Sequence, residues 1–165
     1  MSKLKSNNHI KDLIIQYGHD IISSQGMQSE KNYIQHANIS CYEHSISVAY
    51  VSVWIATKFG INVDMRSLIR GALLHDYFLY DWHVPDKSHR LHGFHHAKTA
   101  FVNAKRDFDI NELESNIILT HMFPLNLRLP RYKESIIVNI ADKICATCEV
   151  FRFNIFKYIG PLEMK

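Results

Sequence analysis

Hydrophobic residues recur along the chain with the three- to four-residue spacing of amphipathic helices. Ile10, Ile14 and Ile21, for example, fall on one face of a helix predicted over residues 8–24. No segment shows the alternation of apolar and polar residues that is typical of strands, so we predict an all-α fold. The pattern predicts helices over residues 8–24, 40–59, 65–77, 95–108, 111–121 and 132–153.

Several helix starts carry residues that cap the first turn. Ser40 and Glu43 have the spacing of a capping box, in which each side chain bonds a backbone amide at the start of the helix. Asp64 and Asn111 precede two further helices and are favoured N-cap residues. Residues 78–94 are rich in aromatic and histidine residues and contain a proline, so we predict a loop there.

The composition narrows the function classes. The chain has 165 residues, of which 47% are hydrophobic and 21% charged, which is usual for one folded domain and excludes a disordered or fibrous chain. The net charge of +3 is too small to indicate nucleic-acid binding, and no nucleic-acid motif is present. No apolar segment is long enough to span a membrane. Three cysteines without a signal peptide indicate reduced thiols and a cytoplasmic protein.

Eleven histidines are the most unusual feature of the composition, and four of them group with two aspartates. Each of the six lies inside or at the end of a predicted helix, and together they come from five helices. Imidazole and carboxylate are the ligands expected for zinc, iron, manganese, cobalt or nickel. His75 and Asp76 close one helix, whose C-terminal dipole also favours a cation. The predicted metal-binding set is His44, His75, Asp76, His96, His121 and Asp142.

The order of these residues along the chain resembles the HD-domain superfamily of metal-dependent phosphohydrolases. The resemblance covers about residues 40–150 and implies a single HD-domain helical bundle over residues 1–165, in which residues 1–39 form an N-terminal helical segment. The Ala-Leu-Leu-His-Asp and Ala-Asp-Lys segments are the most specific. The matching segments are Cys41-Tyr-Glu-His44-Ser, Gly71-Ala-Leu-Leu-His-Asp76, His95-His96-Ala-Lys, Thr120-His121 and Asn139-Ile-Ala-Asp-Lys143.

The resemblance implies a dinuclear site for two divalent transition-metal ions, drawn from Fe, Mn, Co, Ni and Zn. The ligands that it implies for the first ion are His44, His75, Asp76 and Asp142. Asp76 would bridge to a second ion, whose site His96 and His121 would complete. His95 is the alternative to His96, because the histidines at 92, 95 and 96 lie close together. His96 matches best, since it lies at the start of the helix that follows.

A dinuclear site of this kind is suited to phosphate chemistry. Two divalent ions and two aspartates leave a charge of about +2, which attracts a phosphate group. A water that bridges the ions loses its proton near neutral pH, and the hydroxide attacks phosphorus. We therefore predict hydrolysis of a phosphate ester or anhydride, and the resemblance favours a nucleotide or dinucleotide. Asp76 and Lys143 are the predicted catalytic residues, although a surface lysine is an equally good interpretation of Lys143. The predicted substrate-binding residues are Arg90, His92, Arg131 and Lys143.

Two other functions fit the same residues. Some HD-domain proteins with this six-ligand pattern are di-iron oxygenases, which require redox-active iron and dioxygen. A non-catalytic module that binds a nucleotide or a metal is the third interpretation. The presence of all six ligands favours a catalytic site over that module. The sequence leaves open the identity of the metal, the substrate and the oligomeric state.

Overall fold

The computed structural model describes residues 2–84, 92–160 and 162. Helices dominate this part of the chain, so the predicted all-α fold is confirmed. A short 3-10 helix, Glu30–Asn32, and a two-stranded antiparallel sheet, β1 (Ile34–His36) and β2 (Ile39–Ser40), lie between the second and third α-helices. The α-helices are α1 (Ser2–Ile22), α2 (Gln25–Ser29), α3 (Cys41–Lys58), α4 (Met65–Leu74), α5 (His92–Asp107), α6 (Glu112–Thr120), α7 (Lys133–Val150) and α8 (Ile155–Ile159).

The structure differs from the predicted elements in several places. Helix α1 begins at Ser2 instead of residue 8, and α4 ends at Leu74 instead of residue 77. The small sheet was missed because its strands are two and three residues long, too short for alternation to be visible. The helix α2 directly after the first helix was not predicted; Ser24 caps it by accepting a hydrogen bond from the Met27 amide. Helix α5 begins at His92, three residues earlier than predicted, and the short helix α8 was not predicted.

The predicted caps fix where the long helices begin. Ser40 and Glu43 form the capping box of α3, and Asn111 and Glu114 form a second capping box at the start of α6. The Asp64 carboxylate accepts a hydrogen bond from the third residue of α4. Because these starts are fixed, the histidine and aspartate residues of the same helices take defined positions along the bundle.

Helices α3 and α4 form the centre of the bundle, with α7 packed on α3 and with α1 and α6 packed on α4. Gly71 lets α4 and α6 approach closely, since a Cβ atom there would lie 2.5 Å from Ile117 Cδ1. The close approach brings the C-terminal ends of both helices to the same region. None of the helices in the described segments is long and apolar enough to cross a membrane.

Candidate metal centre

Five helices bring histidine and aspartate side chains to one buried region of the bundle. Helices α3, α5 and α7 contribute residues from within the helix, whereas α4 and α6 contribute the residues directly after their last turns. The side chains come from segments up to about 100 residues apart in sequence, so only the packed fold assembles them. The residues are His44, His75, Asp76, His96, His121 and Asp142, each at most 8% exposed.

The first cluster consists of His44, His75 and Asp142. The Nε2 atom of His44 lies 3.2 Å from Asp142 Oδ1, and the Nε2 atom of His75 lies 3.7 Å from the same oxygen. One potential ligand atom from each residue lies within 4.8 Å of the other two, so the three could hold a metal ion together.

The second cluster consists of Asp76, His96 and His121. Asp76 Oδ1 lies 3.2 Å from His96 Nε2 and 3.4 Å from His121 Nε2, while the two Nε2 atoms are 2.9 Å apart. These three residues also have ligand atoms within 4.8 Å of one another and could hold a second ion.

Asp76 lies between the two clusters. While Oδ1 faces the second cluster, Oδ2 lies 3.4 Å from His75 Nε2 and 3.8 Å from His44 Nε2. The Gln35 side-chain amide donates a hydrogen bond of 2.6 Å to Oδ2 and so fixes the orientation of the carboxylate. A carboxylate held in this way can bridge two cations, with one oxygen directed to each.

Within the described part of the chain, some polar atoms at the centre lack partners that bound metal ions would supply. His75 Nε2 and Asp76 Oδ1 are buried and have no hydrogen-bond partner among the described residues. Buried polar atoms without partners are costly, unless a ligand satisfies them. The short distance between the Nε2 atoms of His96 and His121 also requires a shared proton or a cation, because two imidazole lone pairs repel each other.

Outer contacts set the tautomers of three of these histidines. The Nδ1 atoms of His75 and His121 donate to the backbone carbonyls of Ala72 and Ile118, at 2.7 and 2.8 Å. A carbonyl only accepts, so Nδ1 carries the hydrogen and Nε2 presents its lone pair to the centre in the neutral ring. His44 Nδ1 contacts both oxygens of Glu149, at 3.0 and 2.9 Å, which gives His44 the same orientation.

A match between the chain and a known protein family identifies the kind of centre. The family model described as HD domain matches residues 41–147, which include all six converging residues. The chain belongs to the HD-domain family. The family consists mostly of metal-dependent hydrolases, and HD domains bind divalent metals. Neither the curated proteins nor the solved structures that were compared match the chain. The extension of one domain over residues 1–165 stays a prediction.

Buried charges shift the pKa values inside the HD domain. Burial lowers the pKa of His44, but its contacts with Asp142 and Glu149 outweigh burial and raise it to about 9. Burial lowers the pKa of His121. Burial alone would raise the pKa of Asp76, but the surrounding histidines hold it well below its ordinary value. Both aspartates of the centre are therefore anionic, since histidine contacts also lower the pKa of Asp142.

A cavity of about 840 Å³, which we name the central cavity, opens onto the HD-domain centre. All three residues of the second cluster line it, and Asp142 reaches it from the first cluster. Its volume is within the range of small-molecule binding sites. The remaining described lining residues are Gln35, Trp82, Gly93, Met122, Pro124, Leu125, Lys143 and Ala146.

Of the four predicted substrate-binding residues, the structure places one at the central cavity and one elsewhere. Lys143 lines the central cavity, where its ammonium group donates to the carbonyl oxygens of His121 and Asn139 at 3.1 and 3.4 Å, and burial lowers its pKa. Arg131 lines a separate cavity beside α6, so the structure does not bring it to the centre. Arg90 and the side chain of His92 lie outside the described residues. Their predicted substrate contacts, like that of Arg131, stay predictions.

The two neighbouring histidines of α5 are clearly separated by the fold. His96 is buried and belongs to the second cluster, whereas the side chain of His95 is exposed. The arrangement follows from the helix, in which successive side chains point about 100° apart. His96 is therefore the residue of this pair that the structure brings to the centre.

Three residues around the centre were missed by sequence reasoning, and all lie outside the matched segment. Glu149 had a readable signal, because it lies seven residues after Asp142 and so on the same face of α7. Gln35 had none, since it reaches Asp76 from a very short strand. Glu30 is 1% exposed, and its carboxyl oxygens have no hydrogen-bond partner among the described residues. Burial and Asp76 raise the pKa of Glu30 well above its ordinary value.

Proposed function

We propose that this HD-domain protein is a metal-dependent phosphohydrolase that binds two divalent transition-metal ions and cleaves a phosphate ester or anhydride. The observation that carries the proposal is the position of Asp76, whose two oxygens face two separate clusters of buried ligand atoms. The sequence resemblance favours a nucleotide or dinucleotide as substrate. The proposal includes a cytoplasmic setting, which the three free cysteines support.

The assignment of ligands follows the two clusters. The first ion is proposed to bind to His44, His75, Asp76 and Asp142, and the second to Asp76, His96 and His121. Two divalent ions supply Lewis acidity to a phosphoryl oxygen and lower the pKa of a bound water. No serine or cysteine nucleophile is needed for hydrolysis of this kind.

The residues of the chain prepare the centre for that chemistry. The outer contacts of His75 and His121 keep their Nε2 lone pairs directed inward, so no reorganisation is required when a substrate arrives. Asp76 holds the two clusters next to each other. Lys143, fixed by two backbone carbonyls, keeps a third N–H for a phosphoryl oxygen in the cavity.

Product release from a panel of nucleotides, dinucleotides and simple phosphoesters tests the proposal, with inorganic phosphate and nucleotide products both quantified by chromatography. The protein is stripped and reloaded separately with Fe²⁺, Mn²⁺, Co²⁺, Ni²⁺ and Zn²⁺, and each form is assayed without dioxygen. We expect release with at least one metal, and a fall of about 100-fold or more in Asp76→Ala. Asp109→Ala, at an exposed position outside the centre, should release phosphate at the original rate.

Two outcomes would contradict the proposal. In a parallel aerobic assay, consumption of dioxygen by the iron form, without hydrolysis of any substrate in the panel, would indicate a di-iron oxygenase. Bound metal with neither activity would indicate a non-catalytic module. Undiminished phosphate release by Asp76→Ala would show that the activity does not use this centre.

A further inference from the structure

Away from the metal centre, the described wall of the central cavity is mainly apolar. Its apolar and aromatic lining residues are Trp82, Met122, Pro124, Leu125 and Ala146. Leu125 is 45% exposed, so a large part of its side chain is available for contact. Contact between this wall and an apolar or aromatic group of a ligand favours binding, because both surfaces are removed from water.

Positive charge in the described wall is limited to one side chain. Lys143 is the one lysine or arginine among the described lining residues of the central cavity. Two of its three N–H groups already point at backbone carbonyls, at 3.1 and 3.4 Å. The centre and this ammonium group can together neutralise one phosphate, which carries close to two negative charges at neutral pH.

Against the described part of this wall, a second or third phosphate group would have a poorer environment. Each further phosphate would leave water for a wall of leucine, methionine, proline and alanine side chains, where no described cation replaces the lost hydration. Contact with the same wall favours the binding of an uncharged organic group. The Trp82 indole, whose ring centroid lies 3.9 Å from that of the His83 ring, adds aromatic surface to this wall.

We propose that the central cavity selects a phosphomonoester whose organic group is apolar or aromatic and carries no further phosphate. The inference rests on the proposed function, because it takes the metal centre as the site of the phosphate group. It departs from the predicted dinucleotide, which brings several linked phosphates into the same cavity.

Binding of phosphonates tests the organic-group selectivity without any turnover. The zinc-loaded protein is titrated calorimetrically with methylphosphonate and with benzylphosphonate, whose carbon–phosphorus bond resists hydrolysis. We expect benzylphosphonate to bind about tenfold more tightly, because its ring buries apolar surface against the cavity wall. Equal affinities of the two phosphonates would overturn the inference.

Two leucines of the segment between α6 and α7 provide matched variants. Leu125→Ser removes apolar wall from the central cavity, so the advantage of benzylphosphonate should fall severalfold while methylphosphonate binds as before. Leu129→Ser changes an exposed leucine that lines the separate cavity beside α6, and both affinities should stay unchanged. An advantage that Leu125→Ser retains in full would contradict the role of this wall.

The preference for a substrate with a single phosphate group is tested with the mono-, di- and triphosphate of one nucleoside. We expect kcat/KM to be at least about tenfold higher for the monophosphate than for the triphosphate. Hydrolysis that prefers the triphosphate would leave the proposed function standing and overturn this inference. An aromatic advantage in phosphonate binding, without hydrolysis of any ester, would support the selectivity and contradict the proposed function.

Discussion

The two clusters of the metal centre differ in their access to substrate. All three residues of the second cluster line the central cavity, whereas His44 and His75 of the first cluster are fully buried and are not among its described lining residues. The first cluster reaches the cavity through Asp142. We therefore expect the first cluster to hold its ion more firmly, and the second to exchange its ion and to contact substrate.

One histidine of the first cluster, His44, differs from His75 and His121 in what contacts it from outside. His44 is held by the Glu149 carboxylate, whereas His121 is held by a neutral backbone carbonyl. Contacts with Asp142 and Glu149 raise the pKa of His44 to about 9, while burial lowers that of His121. Protons consequently compete with metal at the first cluster far more than at His121.

Asp76→Ala should have the largest effect, because it removes a carboxylate that faces both clusters. Neither cluster keeps its full ligand set, so we expect both ions to be lost on dialysis and phosphate release to fall by about 100-fold or more. Metal content is measured by mass spectrometry on the dialysed protein. Retention of two ions per chain would show that Asp76 does not join the clusters.

Glu149→Gln should weaken the first cluster selectively. The substitution removes the charge that holds His44, and loss of such a contact typically costs 10- to 100-fold in metal affinity. The second cluster should bind its ion as before, which a two-site metal titration can resolve.

Glu134→Gln is the matched control for that change. Glu134 is also buried on α7, but it accepts a hydrogen bond from the Asp64 amide at the start of α4, away from the clusters. It should lower stability and leave both metal affinities unchanged. Equal weakening of both clusters by Glu149→Gln, or the same weakening in the control, would remove the distinction between the clusters.

Metal affinity should depend on pH mainly at the first cluster. His44 must lose its proton to bind a cation through Nε2, and its pKa is raised to about 9. Burial lowers the pKa of His75 too, but Asp76 and Asp142 outweigh burial and raise it. Affinity at that cluster should therefore rise by at least about tenfold per pH unit between about 6.5 and 9, whereas affinity at the second should change much less. Two-site titrations at several pH values measure this, and parallel slopes would contradict the expectation.

The raised pKa of His44 also predicts how the stability of the metal-free protein changes with pH. A folded-state pKa raised from 6.5 to about 9 means that the folded protein binds the His44 proton more tightly than the unfolded chain. The stabilisation is fully present below about pH 6.5 and is lost as the pH rises through about 9. Melting temperature against pH should fall over this window, and less so in Glu149→Gln.

Lys143→Met should have the smallest effect of these changes. It removes the ammonium group from the cavity wall and keeps the length of the side chain. We expect KM to rise about tenfold, with a smaller change in kcat, because one charge-assisted contact to phosphate is lost. Lys133→Met, at an exposed position at the start of α7, is the control. An unchanged KM would favour the interpretation of Lys143 as a surface lysine.

The sequence predicted the helices and the converging residues because both leave local patterns. Capping residues at 40, 64 and 111 are readable in the chain, and they fix the starts of three helices. The His75-Asp76 pair at the end of α4 belongs to a motif with a specific order and context. Family resemblance and helix periodicity together were sufficient to place six side chains in one region.

Contacts between distant segments left no such pattern. Glu149 meets His44 across 105 positions of sequence, and Gln35 meets Asp76 across 41. Arg131 was predicted to bind substrate, and no periodic pattern specifies the course of the segment between α6 and α7. Its backbone amide bonds Asn116 on α6, and its side chain lines the cavity there.

The central claim is a dinuclear centre in which both ions are needed for hydrolysis. It is tested most directly by adding metal stepwise to the stripped protein while measuring bound metal and phosphate release in the same samples. We predict two bound ions per chain, with little release until the second cluster fills and full release at two equivalents. Full release at one equivalent, or two bound ions without hydrolysis of any substrate in the panel, would contradict the claim.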